Sequence, residues 1–91
     1  MYFLIIYSLK DQKKDYSELF GYLDHFEQSI QMMDNARILI SLDSASTISS
    51  EIRKRINDNL DLFFVAEIKP KQGNAGWIST EVIEWLNNNF K

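Results

Sequence analysis

There is no cysteine in these 91 residues, and only one proline, three glycines and one histidine. Without cysteine, thiol nucleophiles, thiolate metal sites, CxxC redox chemistry and disulfide support are all excluded, and the chain fits a reducing compartment. The glycines stand at Gly21, Gly73 and Gly76, so neither GxGxxG nor a P-loop can be assembled. With His25 alone, HExxH is absent as well, and no Ser/His/Asp arrangement is visible. No apolar run approaches the roughly 18–20 residues that span a bilayer. Basic excess is also missing. Ten Lys and Arg stand against thirteen Asp and Glu, a net charge of −3, which argues against a general nucleic-acid coat.

What is present reads as a folded domain. Hydrophobic residues make up 45% and charged residues 25% of the chain, a globular composition. A chain this short hides only about 60–65% of the surface its unfolded form exposes. We read 1–91 as one domain, with a core over 1–69 and a C-terminal extension with a helix over 70–91. The apolar Met1–Leu9 stretch lacks a cationic start and a small-residue cleavage site, and Lys10-Asp11-Gln12-Lys13-Lys14 follows it. It is expected to be a buried strand of a soluble, cytoplasmic protein.

The pattern along the chain gives the elements. Tyr2 to Tyr7 is a short apolar run suited to a central strand. Asp15, with Glu18 three positions on, forms a capping-box-like start for a helix over 16–28 whose apolar face is Tyr16, Leu19, Phe20, Leu23 and Phe26. Asp34-Asn35 is a turn pair between a short strand ending at Met33 and a longer one from Ala36 to Leu42. In the longer strand Ala36, Ile38, Ile40 and Leu42 point one way, and Arg37, Leu39, Ser41 and Asp43 the other. Residues 43–47 are rich in caps and open a second helix over 47–58, with Ile48, Ile52 and Ile56 buried. Leu60 to Lys69 alternates again, with Leu62, Phe64, Ala66 and Ile68 on one face and Phe63, Val65 and Glu67 on the other. Pro70–Gly76 reads as loop. Ser79 caps a third helix bearing Val82, Ile83, Leu86 and Phe90.

The order strand, helix, strand, strand, helix, strand, with an appended helix, predicts an α+β protein. Its simplest form is a ferredoxin-like βαββαβ antiparallel sheet with two helices on one face. The second face is expected to carry Leu39, Phe63 and Val65. It therefore needs a cover, either the C-terminal helix or a second copy of the chain.

Several stretches together carry a family resemblance. They are the first strand ending in Tyr7-Ser8, the Gln31-Met32-Met33-Asp34-Asn35-Ala36-Arg37-Ile38-Leu39-Ile40 hairpin, Asn57 to Val65, Gly76-Trp77 and Glu84-Trp85-Leu86. In this arrangement the chain resembles the SinR-like group of small bacterial proteins, relatives of the CRISPR-adaptation ferredoxin-like subunit and of VapD-type toxins. The resemblance implies a homodimer formed through the sheet faces. Nuclease-competent relatives carry an aspartate just after the first strand, where paired carboxylates hold Mg²⁺. Here Tyr7-Ser8 stands in that place, so their activity does not carry over.

No metal or cofactor is expected, and the leading reading is a non-catalytic interaction protein. Two basic clusters, Lys10, Lys13 and Lys14 and then Arg53, Lys54 and Arg55, are expected at one sheet edge as candidate nucleic-acid contacts. Asp11, Asp15, Asp58 and Asp61 interleave with them and favour a solvated charged face. Leu39, Phe63, Val65, Trp77 and Trp85 are the expected packing residues of the sheet face or dimer. Two rival readings are a degenerate Mg-dependent nuclease using Asp11 or Asp34, and a mobile-element or toxin-type protein binding one host protein. His25 is read as a polar helix flank, and Gly21 as a close-packing position within the first helix.

Overall fold

The computed structural model describes residues 1–69 and 76–89. Along the chain run β1 (Tyr2–Ser8), α1 (Ser17–Asp24), β2 (Gln28–Met33) and β3 (Ala36–Ile40). They are followed by α2 (Ala45–Arg53), β4 (Leu62–Ile68) and α3 (Thr80–Asn89). The four strands form one antiparallel sheet in the order β2-β3-β1-β4. The architecture is α+β, and the predicted element order holds. The expected loop over Pro70–Gly76 falls outside the described residues except for Gly76, and so does Phe90.

Register sets the two faces. Phe3 pairs with Leu39, Ile5 with Arg37 and Val65, and Tyr7 with Phe63. Opposed residues in an antiparallel ladder share a face, so this set points one way. It meets Leu19 and Leu23 of α1 and Ile48 and Ile52 of α2, and together these form the buried core. Leu39, Phe63 and Val65 therefore lie under the helices, which corrects the expectation that they line the second face. Arg37 shares their face. It is buried, and its Nη1 donates to Asp24 Oδ1 at 2.5 Å and Ser29 Oγ at 3.1 Å.

The second face carries Tyr2, Leu4 and Ile6 of β1 with Ile38 and Ile40 of β3 and Phe64, Ala66 and Ile68 of β4. Helix α3 packs against β2, with Val82 buried to 3% exposure, and Ile38 on the same sheet face is 2% exposed. Its last turn lies over the start of β1, where the Tyr2 hydroxyl donates to the Asn89 carbonyl at 3.1 Å.

Local chemistry explains the helix ends. Ser44 caps α2, its Oγ accepting from Thr47 N–H at 3.1 Å, so this helix begins and ends earlier than the predicted 47–58. Helix α1 is likewise shorter than 16–28. Tyr16 takes its N-cap place without a side-chain cap bond, and Asp15 Oδ1 instead accepts from Ser17 N–H at 2.9 Å. Ser79 Oγ accepts from Val82 N–H at 3.3 Å, as expected of a cap for α3.

Gly21 is exposed, and a Cβ placed there meets nothing within 4 Å. Close packing therefore does not account for it. Because glycine in a helix interior costs backbone entropy, Gly21→Ala is expected to raise stability by about 0.5–1 kcal/mol. Urea denaturation reads this directly, and a loss instead of a gain would contradict the open environment.

Candidate functional site

Two features stand out at the end of the sheet where β1 finishes and β4 begins. The first is polar. After α2 the chain turns back through 54–61, and the turn is held by Asp61 N–H to Asn57 O at 2.8 Å. This places the Asp61 carboxylate between that turn and the β1–α1 loop. Its oxygens accept from Lys10 N–H at 2.7 Å and Asn57 N–H at 2.8 Å. The Tyr16 hydroxyl lies 2.8 Å from both oxygens and shares its one proton between them. Asp11 N–H donates back to that hydroxyl at 3.1 Å, and Asn57 Nδ2 donates to Asp11 Oδ2 at 2.9 Å. Asp61 is only 4% exposed. It is a clasp between two loops rather than the solvated acid that the sequence suggested.

The clasp draws both predicted basic clusters to one end, but it leaves them in different states. Arg53 faces Asp58 at 3.7 Å, Lys54 faces Glu51 at 2.7 Å and Arg55 faces Glu51 at 3.2 Å. The Arg55 guanidinium also lies over the Tyr22 ring, 4.8 Å from its centroid. The hydrogen bonds from Lys54 and Arg55 hold the Glu51 carboxyl below its ordinary range. Among the described residues, the ammonium groups of Lys10, Lys13 and Lys14 make no ion pair. These six cations share their end of the molecule with Asp11, Asp15, Glu18, Glu51, Asp58 and Asp61, so the local charge is close to balanced. A shallow groove lined by Glu18, Tyr22, Lys54 and Arg55 has the same mixed sign.

Neither residue of the rival nuclease reading sits in an acidic cluster. Asp11 is committed to Asn57 and, through Oδ1, to Lys13 N–H at 3.0 Å, while Asp34 lies on the β2–β3 turn. Among the described residues, no three His, Asp or Glu side chains gather closely enough to hold a cation. Ser8 is exposed at the end of β1, opposite Leu62. His25 is exposed beyond α1, its Nδ1 against the Tyr22 carbonyl and its ring beside Phe26.

The second feature is apolar. Helix α3 covers the β2 side of the second face and the start of β1, but not the end nearest the clasp. There a single cross-strand row runs Met33, Ala36, Ile6, Phe64. Met33 is 50%, Ile6 43% and Phe64 66% exposed, and Leu62 beside Phe64 is 66% exposed. Sequence reasoning missed this row because it placed Phe64 in the core. The signal was present in the unbroken hydrophobicity of 62–66, which leaves no polar face. Of the expected packing tryptophans, Trp85 is half-buried on α3, whereas Trp77 is 98% exposed.

No protein-family model matches the chain, and no curated protein matches it. No helix among the described residues is long and apolar enough to cross a membrane.

Proposed function

We propose that this chain is a non-catalytic, homodimeric association module of ferredoxin-like fold, akin to the SinR-like group that its sequence resembles. The strand order β2-β3-β1-β4, with helix crossovers after β1 and β3, supports the ferredoxin-like reading. The observation that carries association is the exposed apolar set Met33, Ile6, Phe64 and Leu62, at the end of the face that α3 leaves open. Large apolar residues exposed together on one sheet face mark a surface built to meet another surface. The balanced charge at the neighbouring loop end favours a protein partner over a phosphate backbone, because no net positive field gathers there. Ser8 in place of a metal-binding aspartate supports the non-catalytic reading.

Sedimentation velocity tests this. The native chain is expected to sediment as a dimer at micromolar concentration. Phe64→Lys is expected to weaken dimerisation by roughly 100-fold, as loss of a buried aromatic anchor does. Because Phe64 is largely exposed in the single chain, its thermal midpoint as a monomer should barely move. A native chain that is monomeric throughout the micromolar range would overturn the proposal.

A further inference from the structure

The two edges of this sheet are unlike. At the β2 edge the register slips between Gln31 and Met33, and α3 packs against the strand. A bulge and a covering helix are two of the ways proteins blunt an edge. Helix α2 packs against β4 on the core face, but among the described residues the strand has no bulge. Its seven residues, Leu62-Phe63-Phe64-Val65-Ala66-Glu67-Ile68, pair continuously with β1 from Ser8 to Tyr2 and contain no proline. No strand among the described residues pairs with its outer side. A long, regular, apolar edge presents a row of unpaired N–H and C=O groups, which is a template for another strand.

We infer that β4 pairs antiparallel with β4 of a second copy about a two-fold axis at Phe64, joining two four-stranded sheets into one of eight strands. The inference rests on the homodimeric reading above and specifies how the two copies meet. Three observations select the copy and the register. A two-fold axis perpendicular to the sheet keeps the same face up in both copies, so residues sharing a face must be opposed. With Phe64 opposite its own copy, the row Met33, Ala36, Ile6, Phe64 continues into Phe64, Ile6, Ala36 and Met33 of the second chain. Leu62 then opposes Ala66, and Phe63 opposes Val65, so the paired stretch is wholly apolar. Glu67, the only charge on the strand, falls beyond it. Finally, Leu62 and Phe64, each 66% exposed in the single chain, gain cross-strand neighbours across the new seam.

Hydrogen exchange on the native chain tests the geometry without any substitution. In strand pairing, the outward-pointing amides of β4 should slow by at least about 100-fold when the chain is concentrated from monomer to dimer. A dimer whose β4 amides exchange equally fast in both states would overturn strand pairing and leave the homodimeric reading standing. A chain that stays monomeric would overturn both.

Cysteine pairing supplies an independent arm, since the chain has no cysteine of its own. Phe63 and Val65 lie on the helix side of β4, away from the apolar row. Under oxidation, an equimolar mixture of Phe63→Cys and Val65→Cys chains should form a disulfide-linked pair, and neither variant alone should do so. Copies packed face to face through the row would hold these positions too far apart. Failure of the mixture to link, with both variants folded and dimeric, would count against the proposal as decisively as unprotected amides.

Discussion

Asp61→Ala is expected to lose about 3 kcal/mol of stability, lowering the thermal midpoint by roughly 10–20 °C for a domain of this size. Three donors converge on this carboxylate, from Lys10, Asn57 and Tyr16. Each is a hydrogen bond to a charged group, typically contributing about 1.5–3 kcal/mol. The loops lie near the surface, so water recovers part of that when the carboxylate is removed. The consequences extend beyond one residue, because the clasp fixes the β1–α1 loop to the turn before β4. Tyr16→Phe removes a single donor and is expected to cost about 1 kcal/mol. Asp61→Asn keeps the shape but turns a donor toward groups that themselves donate, so it should fall nearer to alanine than to the native chain. Chemical denaturation orders the three variants. An Asp61→Ala loss below about 1 kcal/mol would show that water replaces the carboxylate without penalty.

The same residue makes stability depend on acid. Burial pushes the Asp61 carboxyl up, while the Lys10 and Asn57 amides and the Tyr16 hydroxyl push it down by more, so the net value lies below its ordinary 3.8. The unfolded chain therefore takes up the proton first. The contribution of Asp61 is complete above the unfolded value and is lost as pH falls through 3.8 toward the lower folded value. Comparing the native chain with Asp61→Asn, the stability gap should be widest near neutrality and should narrow as the solution is acidified below about pH 4. A gap that stays constant down to pH 2.5 would mean that the carboxylate is not held in its charged form.

The order of elements was legible because each one follows a simple rule. Leu19 with Leu23, and Ile48 with Ile52, mark helix faces at a spacing of four. Asp34-Asn35 marks the turn, and the cap-rich 43–47 segment marks a helix start. The faces were not legible, for a physical reason. In a sheet with one wet side, the apolar half of each alternation identifies the core. Here α3 also covers part of the second side, so Ile38 and Leu39, neighbours with opposite orientations, are both buried. Hydrophobicity alone cannot then choose between them, and the more uniformly apolar set, Ala36, Ile38 and Ile40, pointed to the wrong side. Arg37 strengthened the error, since a charged residue reads as solvent-facing until Asp24 and Ser29 are seen to accept from its Nη1. Asp61 was illegible in a different way. Nothing local distinguishes it from Asp58. Only the return of the chain brings Lys10 and Tyr16, some fifty residues away in sequence, onto its carboxylate.

The orientation of the pleat makes the last prediction a comparison between two large apolar residues on the same sheet. Leu39→Ala is expected to cost about 3–4 kcal/mol, whereas Phe64→Ala in the dissociated chain should cost less than about 1 kcal/mol. Leu39 is fully buried between Phe3 and the helices, so truncation leaves a cavity that the surrounding rigid elements close only partly. Phe64 is 66% exposed, and most of its ring is already in water before it is removed. Had Leu39, Phe63 and Val65 faced away from the helices, the order of the two losses would be reversed. A slip of one residue exchanges every side chain between the faces, so no intermediate arrangement dilutes the contrast. Thermal or urea denaturation at submicromolar concentration, where association contributes nothing, reads the two losses directly. A larger loss for Phe64→Ala would require the opposite pleat along β1, β3 and β4 together, since Phe3–Leu39 and Ile5–Val65 pairing binds the three strands to one choice.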